Sequence, residues 1–180
     1  MQPDDPVLSV IDAPNDLLIP YMLVGSYSSN LYGIERGTRD ADFVIELGKK
    51  SVSALADRIK GDFTLDPQLG FETVTLQTRW RFKHNRSRFK LEMFLLVRDP
   101  FDQVRFGRRV RTELCDRVMW FQTREDVIVN KVRWGREKDL IDVKDVMKVQ
   151  GKHLDWKYIE TWTNHFGNLE LLNRLRKAVE

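Results

Sequence analysis

The sequence predicts a mixed α/β protein that ends in a helical portion, and three observations carry this expectation. Short runs with period-two alternation fall before about residue 122. Beyond it, apolar positions recur at helical spacing to the end of the chain, and glycines punctuate both parts. The expected division is residues 1–122 for the α/β portion and 123–180 for helices packed on it. At 180 residues, 42% hydrophobic and 32% charged, the chain can build a core without disulfides or a structural metal.

Taken in order, Tyr21 to Val24 reads as a short apolar strand that stops at Gly25-Ser26. Tyr27, Leu31 and Ile34 then follow at i, i+4 and i+7, which predicts a helix closed by Gly37. From Asp40 to Glu46 the residues alternate, with Asp40, Asp42 and Val44 on one side and Ala41, Phe43 and Ile45 on the other. Ser51 is placed to cap a helix that carries Val52, Leu55 and Ile59 and ends at Gly61. Phe71 to Gln77, rich in Thr and Val, is a further strand candidate. Arg79 to Lys83 and Phe89 to Leu96 flank the polar stretch His84 to Ser87, which predicts a hairpin.

A second, smaller hairpin is expected over 112–122, turning at Cys115-Asp116. Thr123 and Asp126 resemble a capping box that opens a helix bearing Val127, Ile128, Val132 and Trp134. Leu140, Val143 and Met147 mark the next helix, up to Gly151. Asp155 and Asn168 are plausible caps for two last helices separated by Gly167.

Composition excludes fibrous, collagenous and wholly disordered classes. The single Cys115 has no partner for an internal bridge, and the longest apolar run, Met93 to Val97, is too short to span a bilayer. The acidic start MQPDDPVLSV does not read as a signal peptide, so a cytoplasmic protein with no membrane partner is expected. The net charge of +3 hides an asymmetry, since residues 78–111 hold eleven bases against three acids. With Trp80, Phe82, Phe89 and Phe106 interleaved, this stretch is either a solvated face or a groove for nucleotide or nucleic acid.

Chemistry concentrates in two places with thirteen residues between them. Gly25-Ser26 at a strand-to-helix turn offers backbone N–H groups, a hydroxyl and the positive end of a helix to a phosphate, with no Cβ in the way. Asp40 and Asp42, at i and i+2, lie roughly 7 Å apart at Cα on one strand face, close enough to share hard divalent cations. Glu92 is the candidate third acid, from a neighbouring strand; the alternative is an ion pair with a base such as Arg88 or Lys90. His84, His153 and His165 have no spacing that suggests a metal site, and neither a Walker A motif nor a Rossmann glycine fingerprint occurs.

A hydrophobic residue, Gly-Ser, a spacer and then Asp-x-Asp resemble the signature of the nucleotidyltransferase superfamily with the polymerase-β-like core. The later segments Arg124-Glu125-Asp126 to Val132 and Arg136-Glu137-Lys138-Asp139-Leu140-Ile141-Asp142-Val143 are similar to those of small AbiEii-type nucleotidyltransferases of type IV toxin–antitoxin systems. The resemblance implies a mixed-sheet nucleotidyltransferase core that transfers a nucleoside monophosphate from an NTP to a hydroxyl, with Mg²⁺ or Mn²⁺ as cofactor. Asp40, Asp42 and Glu92 would be the catalytic, metal-binding acids, and Gly25, Ser26 and Lys131 would hold the nucleotide. The acceptor would be an RNA 3′ end such as that of a tRNA, a protein side chain or a small molecule, and a cognate antitoxin is an expected partner. The alternative on the same scaffold is a nucleotide- or RNA-binding module without chemistry.

Three supporting positions keep two readings each. Lys131 lies beside the apolar face of its helix, where it would either snorkel or meet a nucleotide phosphate. Asp142 would either pair with Lys138 at i−4 or belong to the active-site end of the helical part. Arg108 and Arg109 would contact acceptor or triphosphate, or else line a solvated face.

Overall fold

A mixed sheet organises the computed structural model, which describes residues 5–179. Eight strands are described: β1 (Tyr21–Val24), β2 (Asp40–Ile45), β3 (Phe63–Leu65), β4 (Gly70–Glu72), β5 (Gln77–His84), β6 (Lys90–Leu95), β7 (Val110–Leu114) and β8 (Arg117–Phe121). Their order across the sheet is β3-β5-β6-β2-β1-β8-β7, with β4 also on β5. β2 lies at the centre, parallel to β6 and antiparallel to β1. This register matters for function: Asp42 stands opposite Val24 on one side and Glu92 on the other.

The helices are α1 (Leu8–Asp16), α2 (Gly25–Tyr32), α3 (Val52–Ile59), α4 (Pro100–Gly107), α5 (Arg124–Trp134), α6 (Glu137–Gln150), α7 (Trp156–His165) and α8 (Leu169–Lys177). Alternation along β2 sends Ala41, Phe43 and Ile45 into the largest core, shared with Ile11 of α1 and Leu55 of α3. On the opposite face Val44 joins Met22, Val24, Phe94 and Phe106 in a smaller cluster. A third core holds α5 to α8 together through Val129, Val143, Ile159 and Leu172, with Phe101 of α4 inserted into it. No described helix is long and apolar enough to cross a membrane.

Local signals act as their chemistry requires. Ser51 accepts from Ala54 N, Asp155 accepts from Tyr158 N, and Thr123 accepts from Asp126 N while donating to that residue's Oδ2 at 2.6 Å. The 112–122 hairpin forms, and Cys115 and Asp116 at its turn both adopt left-handed φ (+50° and +58°), as a two-residue turn of type I′ demands. Asn168 stands at the head of α8 without a side-chain capping bond; its Nδ2 instead donates to the Val132 carbonyl.

Three expectations are corrected. The helix after Gly25 stops at Tyr32 rather than Gly37, and Ile34 lies in the following loop at 59% exposure. The strand expected over Phe71 to Gln77 is interrupted, because the Glu72 carboxylate accepts from Val74 N, Thr75 N and Thr75 Oγ1 and folds 73–76 into a turn. These bonds hold Glu72 below the usual carboxylate range although burial pushes the other way. The basic stretch is divided among β5, β6, α4 and the start of β7, and two helices lie outside the expected elements: α4, with Asp99 as cap and Pro100 in its first turn, and α1.

Candidate active site

A cleft of about 420 Å³ opens between the Asp40 face of the sheet and the ends of α5 and α6 that meet at Gly135. Its floor carries Gly25, Asp40, Asp42 and Glu92; Asn130, Lys131 and Trp134 of α5, then Arg136, Lys138 and Asp139 at the start of α6, form the facing wall; Phe71, Glu72, Thr73 and Thr75 form the rim. Phe71 is 57% exposed there. Asn130 Oδ1, on the wall, is buried without a hydrogen-bond partner.

The floor is built by backbone geometry. β1 ends at Val24, and Gly25 turns the chain into α2 at φ +61°. A Cβ on Gly25 would stand 2.1 Å from Asp42 Oδ2, so a larger residue at this left-handed turn would displace the carboxylate. Burial, then the charges of Asp40 and Glu92, push Asp42 up to about 7, while Lys131 and Lys138 pull it back. Asp40 accepts from Thr38 Oγ1 at 2.6 Å and is exposed.

Behind this floor lies an ion network that the sequence shows only in part. Lys131 is 6% exposed, and its Nζ donates to Asp139 Oδ1 at 3.2 Å and Asp142 Oδ2 at 2.6 Å. Arg36, from the loop after α2, grips Asp142 with Nε and Nη2, both at 2.9 Å, and Nη2 also donates to Ser26 Oγ at 3.2 Å. Arg136 closes the chain on Asp139. Burial would raise Asp142, but the bonds from Arg36 and Lys131 outweigh it and hold the carboxyl below its usual range. The loop between Ser26 and Asp40 therefore carries the arginine that ties the Gly25-Ser26 turn to α6.

The predicted site residues divide accordingly. Gly25, Asp40, Asp42, Glu92 and Lys131 line one cleft, whereas Ser26 and Asp142 belong to the network beside it. Glu92 does form an ion pair, with partners other than Arg88 or Lys90: Oε2 accepts from Arg79 at 3.1 Å and Oε1 lies 3.3 Å from Arg81 Nε. Arg108 and Arg109 line no part of the cleft. Arg108 packs 3.9 Å over the Tyr158 ring and pairs with Glu125 and Asp126, while Arg109 packs over Phe106 and Trp120. Much of the basic stretch is neutralised in the same way, Lys83 by Asp66, Arg86 by Asp62 and Arg105 by Asp102.

As a place for a hard cation, the strand pair Asp40 and Asp42 supplies oxygen donors on one face, and the raised Asp42 marks a shortage of positive charge there. Glu92 fits less well, since both its oxygens are engaged. Among the described residues no group of three or more His, Cys, Asp or Glu closes into a metal cluster.

Neither a protein-family profile nor a curated protein sequence matches the chain. Solved structures do. An antigenic nucleotidyltransferase-like protein from Paracoccidioides brasiliensis superposes with a TM-score of 0.59 at 18% identity, covering 96% of this chain and 90% of that one. The antibiotic-resistance factor ANT(2″)-Ia gives 0.62 at 10% identity, covering 97% and 96%. The fold is nucleotidyltransferase-like. The lincosamide antibiotic adenylyltransferase LnuA, bound to lincomycin, gives 0.52 at 13% identity over 81% of this chain and 97% of that one. Within this nucleotidyltransferase-like fold the Gly25 corner can be tested for strain directly. Gly25→Ala is expected to cost about 1–2 kcal/mol, because a Cβ meets both the left-handed backbone and Asp42. An unchanged urea midpoint would contradict that.

Proposed function

We propose that this protein is a divalent-metal-dependent nucleotidyltransferase that moves a nucleoside monophosphate from an NTP to a hydroxyl acceptor. The observation that carries the reading is the corner itself: a left-handed Gly25 against the carboxylate of Asp42, with Asp40 two residues along the same strand face. In this reading the N–H groups at the start of α2 bind phosphate oxygens, and Asp40 and Asp42 hold the cation. A bound divalent cation would neutralise charge on the leaving pyrophosphate and favour ionisation of the acceptor hydroxyl. The acceptor oxygen forms a bond to the α-phosphorus, the bond to the bridging oxygen breaks, pyrophosphate leaves, and the hydroxyl proton passes to solvent or to a carboxylate of the corner. Glu92, fixed by Arg79 and Arg81, contributes negative charge beside Asp42 rather than a free base.

The acceptor class stays within the reading as RNA, protein or a small hydroxylated molecule. ANT(2″)-Ia has been solved with adenylyl-2″-tobramycin and LnuA with lincomycin, which supports including the last. The similarity of 124–143 to AbiEii-type enzymes supports a toxin or defence component under a cognate antitoxin. The engagement of Glu92 favours a second reading, a nucleotide-binding module without transfer.

Incubation with each of the four α-labelled NTPs, Mg²⁺ or Mn²⁺, and total RNA, protein extract or aminoglycoside and lincosamide acceptors tests the proposal. Label is expected on one acceptor class with release of pyrophosphate. Nucleotide binding without any transfer would select the binding module instead.

A further inference from the structure

Five cations line the cleft, and four are already compensated. Arg79 is held by Glu92 and packs over Phe94; Arg105 is buried on Asp102; Arg136 is on Asp139 and over the Trp134 ring. Lys131 spends two of its three ammonium donors on Asp139 and Asp142, at 6% exposure. Lys138 differs. It is exposed, lines the same cleft, and among the described residues it makes no ion pair and no side-chain hydrogen bond. It also sits in the first turn of α6, between Glu137 and Asp139.

Its reach is appropriate. Lys138 stands on the wall of the cleft whose floor carries Gly25, Asp40 and Asp42. A lysine on a flexible four-carbon stem suits a ligand whose charge arrives and leaves, whereas Lys131, locked between two buried acids, suits a fixed strut.

We propose that Lys138, rather than Lys131, is the side chain that meets the triphosphate of the nucleotide in this cleft. This rests on the nucleotidyltransferase reading above and assigns its phosphate-binding cation. Lys131 then acts as a positioning residue, tying α5 to α6 through Asp139 and Asp142 on the wall that carries Lys138.

The test is calorimetric titration of wild type, Lys138→Gln and Lys138→Arg with the four NTPs, the matching nucleosides and inorganic tripolyphosphate, at fixed Mg²⁺. Wild type is expected to bind tripolyphosphate and at least one NTP. Lys138→Gln should weaken both at least tenfold, leave any nucleoside binding within twofold, and keep the wild-type melting temperature; Lys138→Arg should restore NTP binding to within about threefold. Equal NTP affinity in wild type and Lys138→Gln overturns the assignment while leaving the nucleotidyltransferase reading in place, and so does a nucleoside affinity that falls in step with the NTP. Absence of any NTP or tripolyphosphate binding by wild type overturns both.

Discussion

Asp42→Asn is expected to abolish the proposed nucleotidyl transfer and, in metal-free buffer at pH 8, to raise the melting temperature. The two effects share one cause. The Asp42 carboxyl, pushed up to about 7 by burial and by the charges of Asp40 and Glu92, keeps a proton in the folded state that the unfolded chain, with an ordinary value of 3.8, releases. Between about pH 4 and pH 7 the native state binds more protons than the unfolded state, so stability falls as pH rises and the full cost is present above pH 7. Asparagine lacks this cost. Discounted for solvent in the cleft, the gain is on the order of 2 kcal/mol, or about 6 °C for a chain of this length. The gap should close by pH 4. Excess Mg²⁺ at pH 8 should raise the wild type toward the variant and leave the variant unmoved. Thermal scans of both proteins at pH 4 and pH 8, with and without Mg²⁺, check this; a variant less stable than wild type at pH 8 would contradict it.

Lys131→Ala should behave in the opposite way, as a stability mutation before it is a binding mutation. Removing the ammonium leaves Asp139 and Asp142, at 2% and 4% exposure, with only Arg136 and Arg36 to neutralise them. Breaking one arm of a buried network of this kind costs about 3–5 kcal/mol. A lysine that served only a bound phosphate would cost under about 0.5 kcal/mol in the absence of ligand. Urea unfolding of the ligand-free protein separates the two. Lys131→Met retains the buried stem and should lose nearly as much, because the uncompensated acids and not the lost methylenes dominate.

How far the site is legible in the sequence follows from the range of the interactions involved. The common face of Asp40 and Asp42 is a two-residue period and needs no tertiary information. Gly25 is legible as a turn, but the close approach that favours glycine there depends on Val24 pairing with Asp42. Glu92 is recognisable as a lone acid on an apolar strand; that β6 runs beside β2 in register, and that Arg79 and Arg81 on β5 capture it, depends on pairings between distant strands.

The roles of Arg36 and Asp139 are hidden in the sequence for the same reason. Arg36 sits in a stretch whose Tyr27, Leu31 and Ile34 spacing reads as continuing helix, yet the helix stops at Tyr32 and frees the loop to reach Asp142 on α6. Asp139 looks like an ordinary first-turn acid and is in fact buried under two cations. The rim at 71–76 reads as strand by composition, but a buried Glu72 with backbone donors two and three residues on outcompetes ladder pairing. Asp99-Pro100 carries the cap and first-turn proline of a helix start, a local signal that places Arg105 on a helix rather than a strand.

The most direct test of the account is a crystal grown with Mn²⁺ and a non-hydrolysable α,β-methylene NTP, read by the anomalous signal of the metal. The account predicts manganese on the carboxylates of Asp40 and Asp42, with the triphosphate lying along the start of α2 at Gly25. Manganese elsewhere, or a triphosphate seated away from Gly25 while the Asp40 and Asp42 carboxylates stay free of metal, would contradict it.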